Sequence, residues 1–137
     1  MGVLAAEFKE VLAMARGFVP LTRAARRYRS AVSMQRGGST HEAFDAAREA
    51  LCFLRRPSVA RTSPPALTLI LSATGLLDEV ALALGDQAAS KAAMADALEA
   101  CRLAISRHPG LGELEHVRAS MAAFEQRLEG AGGGAPY

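Results

Sequence analysis

The chain has 137 residues, half of them apolar, 5% aromatic and none tryptophan, with a net charge of +2. Alanine supplies 29 residues and leucine 17, against nine valines and isoleucines together, so helix formers dominate and a β-sandwich is disfavoured. One domain is expected, burying roughly 68–70% of its unfolded surface. Its core has to come from Ala, Leu and Met, which suits close helix approach better than a large internal pocket.

The first periodic segment is Val3 to Phe18, with Leu4, Phe8, Val11, Leu12, Ala15 and Phe18 at helical spacing. Gly17 and Pro20 are expected to end it. Thr22 then caps a second helix running to about Arg36, with Leu21, Ala25, Tyr28 and Val32 as its apolar stripe. Gly37 and Gly38 break the chain. Ser39 or Thr40 opens a third helix that buries Phe44, Ala47, Leu51 and Leu54 and stops at Arg56 before Pro57. Residues 57–65 read as a loop.

Ser63 and Pro64 form an N-cap and first-turn pair for the next helix, which extends towards Leu84. Its run ALTLILSATGLL is apolar nearly all round, which predicts a place at the centre of a bundle with Leu69, Leu71, Leu77 and Leu84 buried. A fifth helix after Gly85 carries Met94, Leu98, Cys101 and Ile105 on one face and ends at His108, Pro109 and Gly110. The last helix, from about Leu111 to Leu128, alternates Leu114, Val117, Met121, Phe124 and Leu128 against Glu113, Arg118, Glu125 and Arg127. Residues 130–137 read as a flexible Gly-rich tail on a single helical domain, residues 1–129.

The stretch from Leu82 to Gly110 resembles a tetratricopeptide repeat, with Leu84, Gly85, Ala97, Cys101, Ala104 and Pro109 at the family's small, bulky and terminal positions. It departs from the pattern at Ala81 and Ala88, where large aromatics are usual. Its inter-helix turn falls near Lys91 to Ala93; a turn at Gly85-Asp86-Gln87 is the alternative and gives an ordinary helical hairpin. A second unit spans about Ala24 to Pro57, with Ala31, a turn at Gly38, then Ala43, Ala47 and Ala50. The expected fold is therefore all-α, with five to six antiparallel helices. They form either a bundle or a short tetratricopeptide-like array capped by the C-terminal helix. The resemblance implies a scaffold that binds a peptide or helix of a partner protein.

Charge is polarised along the chain. Residues 1–77 carry eleven basic and five acidic side chains, a balance of +6, and residues 78–137 carry five and nine, a balance of −4. No acidic residue lies between Val11 and His41, where six arginines do. Arg23, Arg26 and Arg27, at i, i+3 and i+4, are expected in solvent opposite Tyr28 and Val32, with Arg29 beside them. These four arginines are the candidate partner-binding patch, for an acidic partner or for the acidic half of a second copy; a merely solvated face is the plainer reading.

Cofactor, metal and catalytic signatures are not readable. GGST at Gly37 to Thr40 lacks a P-loop's lysine, no GxSxG occurs, and His41, His108 and His116 have no ligand spacing with Cys52 or Cys101, both expected to be buried thiols. Arg102 followed by His108 is similar to the spacing in the HEPN group of helical ribonucleases and toxins. That resemblance implies phosphate-charge stabilisation by the arginine and acid–base work by the histidine. Nucleic-acid binding otherwise has only Tyr28 among the arginines to support it.

The longest uncharged run, Thr62 to Leu77, is shorter than the ~20 residues a membrane span needs. Glu7 and Glu10 interrupt any secretory signal. The expectation is a non-enzymatic adaptor, chaperone or immunity-type protein of a bacterial cytoplasm. The alternative is a small RNA-binding protein or ribonuclease using Arg102 and His108.

Overall fold

The computed structural model describes residues 20–56 and 63–133. The helix expected over Val3 to Phe18, most of the loop at 57–65 and the last four residues lie outside the described residues. Within them the chain is all-helical: α1 over residues 20–36, α2 (Thr40–Leu54), α3 (Pro64–Leu84), α4 (Gln87–Arg107), a 3-10 turn (Pro109–Glu113) and α5 (Glu115–Gly133). α1 already includes Pro20 and Thr22, so Thr22 is not its cap. A proline is compatible with a helix wherever its missing N–H needs no partner. α5 continues through Gly133, into the segment expected to be a tail. Extending a helix already nucleated adds a hydrogen bond per residue fixed.

Two helix reversals share one geometry. After α1, Gly38 takes φ 83°, its N–H bonding Gln35 O at 3.2 Å while the Ser39 N–H reaches Met34 O at 2.8 Å. After α3, Gly85 takes φ 76°, its N–H bonding Leu82 O at 3.2 Å while the Asp86 N–H reaches Ala81 O at 2.9 Å. This paired pattern closes a helix through a left-handed residue, and only glycine adopts that φ without strain. At the second reversal the Asp86 side chain also accepts from the Ala89 N–H at 3.1 Å, capping α4. The turn therefore lies at Gly85-Asp86. α4 runs unbroken through Lys91 to Ala93, so the inter-helix turn of the tetratricopeptide register is not there. A left-handed glycine followed by an N-cap aspartate is a stronger stop than an alanine-rich run with no turn residue.

Burial follows from alanine. Ala24, Ala31, Ala43, Ala47, Ala66, Ala73, Ala97 and Ala104 are fully buried, and larger chains fill the spaces between helices: Leu54, Leu67, Ile70, Met94 and Val117. α3 is the hub, packing on α2, α4 and α5. Its Ile70, Leu71, Leu77 and Val80 are buried, whereas Leu69 and Leu84 are half-buried and Leu82 is 45% exposed. The helix is apolar all round, but only the arc facing its neighbours is covered. α3 has 21 residues and contains an 18-residue window of mean hydropathy 1.7, long and apolar enough to cross a membrane by length and composition, which the uncharged run alone did not predict. Half of that window is packed inside this fold.

In α1 the buried stripe is centred on Ala24 and Ala31, with Leu21 and Tyr28 half-buried beside it. It is rotated from the expected Leu21, Ala25, Tyr28, Val32 stripe towards α2. In α2 the expected set of Phe44, Ala47, Leu51 and Leu54 is buried throughout.

Candidate functional site

The rotation of α1 decides which arginines are available. Arg23, Arg26 and Arg29 are exposed on its outer face, and Arg36 extends the row. None of the four makes an ion pair among the described residues. Arg27 departs from the expected solvent patch: its Nη2 lies 3.0 Å from Glu49 Oε2 on α2, with its Nε at the same distance. Steps of three residues turn a helix by about 300°, so 23, 26 and 29 drift away from α2, whereas a step of four carries position 27 towards it. Arg27 tethers the first hairpin, and Arg36 takes its place in the surface row.

Other arginines are occupied within the fold. On α2, Arg48 lies over the Phe44 ring, and just past its end Arg56 lies over Phe53, at 5.4 and 5.2 Å from the centroids. Arg55 pairs with Asp96 across to α4 at 3.4 Å. At the far end, Arg102 of α4 pairs with Glu125 of α5 at 3.4 Å, and His108 is exposed as the C-cap residue of α4.

The densest polar cluster was not anticipated from sequence. Asp78 of α3 accepts from the hydroxyl of buried Ser90 on α4 and, at 2.9 Å, from Arg127 Nη2 on α5. Burial pushes the Asp78 carboxyl up, but the hydrogen bonds from Arg127 and Ser90, with the arginine's charge, outweigh it and leave the group below its ordinary value of 3.8. Three helices meet on one carboxylate. Ser90 and Arg127 of this network line a cleft of about 590 Å³ together with Leu82, Lys91, Met94 and Gln126. Its interhelix hydrogen bonds make it first a structural clasp.

The two cysteines differ. Cys101 is buried, and burial raises its thiol to about 11 despite the opposing charge of Arg102. Cys52 is exposed rather than buried, because it falls outside the Ala47–Leu51–Leu54 arc of α2. Glu115 stands in the first turn of α5, where a carboxylate complements the helix dipole, and His116 Nε2 is 3.4 Å from Thr68 Oγ1.

Geometry thus defines an all-α helical protein with an open row of arginines at its N-terminal hairpin. Comparison with known protein families, curated proteins and solved structures finds no match to this chain.

Proposed function

We propose that this chain is a non-enzymatic protein–protein interaction module, of adaptor, chaperone or immunity type, acting in a bacterial cytoplasm. The observation that carries the proposal is the outer face of α1, where Arg23, Arg26, Arg29 and Arg36 stand exposed with no carboxylate anywhere in the helix. Like charges packed this closely repel one another, and an acidic partner surface relieves that repulsion. The architecture supports the same reading. Two hairpins turned by equivalent glycines, Gly38 and Gly85, 47 residues apart, form a short array that α5 caps. The unit is longer than the roughly 34 residues of a tetratricopeptide repeat, so the likeness is to helical-hairpin arrays in general.

The test is capture of interacting protein by the wild type and by the Arg23→Glu, Arg26→Glu, Arg29→Glu variant, with and without nuclease. Wild-type capture should survive nuclease, weaken as salt rises and fall sharply in the variant while helicity is kept. Capture that vanishes on nuclease treatment would replace this reading with nucleic-acid binding. Capture indifferent to both salt and the triple reversal would reduce the arginines to a solvated face.

A further inference from the structure

Gly75 lies in the middle of α3, where glycine weakens a helix relative to alanine. Nothing within the described residues requires it. Its φ is not positive, and a Cβ built there meets no atom of the described residues within 4 Å. The bare backbone opens instead onto a groove of about 410 Å³ between α1 and α3, walled by Tyr28 and Val32 on one side and Leu76 on the other, all half-buried. Arg36 lies at the α1 rim and Glu79 at the α3 rim. Arg29, seven residues before Arg36, falls on the same side of α1. Arg29, Arg36 and Glu79 make no ion pair among the described residues.

We propose that this groove is the docking site for an acidic amphipathic helix of a partner protein. The inference rests on the interaction reading above and names its surface and the partner's chemistry. The partner's apolar face lies over Tyr28, Val32 and Leu76, and the missing side chain at Gly75 lets its backbone come close, as small residues do wherever helices pack tightly. Its carboxylates meet Arg29 and Arg36. Arg36 lining the groove, with Arg29 on the same side of α1, against the single carboxylate of Glu79 sets the sign of the partner's charge.

A phage-displayed library of random peptides about four helical turns long, selected on the full chain, tests this directly. Selected sequences should carry aliphatic residues at i, i+3 or i+4 and i+7, together with Asp or Glu. Their affinity should fall about tenfold or more with Gly75→Leu and with Arg36→Glu, and rise with Glu79→Lys. The Gly75→Leu chain should unfold no more easily than wild type, because its side chain enters open space. Basic or aperiodic selected peptides, or affinity unmoved by Gly75→Leu, would overturn the assignment. Binders obtained only after deletion of residues 1–19 would give the groove to the chain's own N-terminal segment. If protein capture is lost in the triple arginine reversal but kept in Gly75→Leu and Arg36→Glu, the groove assignment fails and the interaction reading stands. If the chain captures no protein under any condition, that reading itself falls.

Discussion

α1 and α5 are both terminal helices of the described fold, and they handle charge in opposite ways. α5 carries acids and bases together and pairs two of them with its neighbours: Arg127 with Asp78 on α3, Glu125 with Arg102 on α4. α1 has arginines and no acids, and only Arg27 is turned inward. One helix uses its charges to fasten the bundle, and the other leaves a row of them facing water. Charge density alone does not mark a binding surface; what matters is whether the fold has already supplied the counter-charge.

The comparison presupposes that α3 is the common support for both ends, and the largest expected effect tests that. Leu77 is 3% exposed at the centre of α3, so Leu77→Ala should cost about 2–5 kcal/mol in denaturant-induced unfolding. A loss below roughly 0.5 kcal/mol, the range of a surface substitution, would remove the hub. Close by, Thr74 Oγ1 is buried with no hydrogen-bond partner among the described residues. Thr74→Val removes that unsatisfied hydroxyl at nearly constant shape and should stabilise the fold by about 1 kcal/mol. Destabilisation instead would show that the hydroxyl has a partner in solution.

The inward charges of α5 make a pH-dependent claim. Asp78 has its carboxyl lowered in the folded state, so its contribution is fully present above its ordinary value of 3.8 and is lost as pH falls through the lower folded value. Asp78→Asn should therefore flatten the acid limb of the stability–pH curve below about pH 4 and leave its neutral-to-basic limb with the same slope. An unchanged acid limb would mean the clasp is too solvated to matter. Thiol labelling gives a separate check on the packing: Cys52 should react with iodoacetamide in the native protein, and Cys101 only after unfolding. Smallest of all should be the effect of reversing Arg23, Arg26 and Arg29 on folding, within about 0.5 kcal/mol. A larger loss would mean these side chains hold the fold together as those of α5 do, and the contrast between the two helices would disappear.

Much of the architecture was legible in the residues themselves. Helix content, the breaks at Gly37-Gly38 and Gly85, the Ser63-Pro64 start of α3 and the buried face of α2 all follow from local rules: glycine in the left-handed region, proline in a first turn, apolar residues every three or four positions. These act within a few residues and need no knowledge of neighbours. The tertiary structure decided the rest. Only packing against α2 could rotate α1 so that Arg27 finds Glu49 and Arg36 joins the exposed row. Residues as far apart as Asp78, Ser90 and Arg127 meet because three helices converge, and no spacing along the chain encodes that convergence. In a chain so rich in alanine, small residues satisfy many repeat registers equally well. The two hairpin turns chose among them, because a left-handed glycine stops a helix where an alanine cannot.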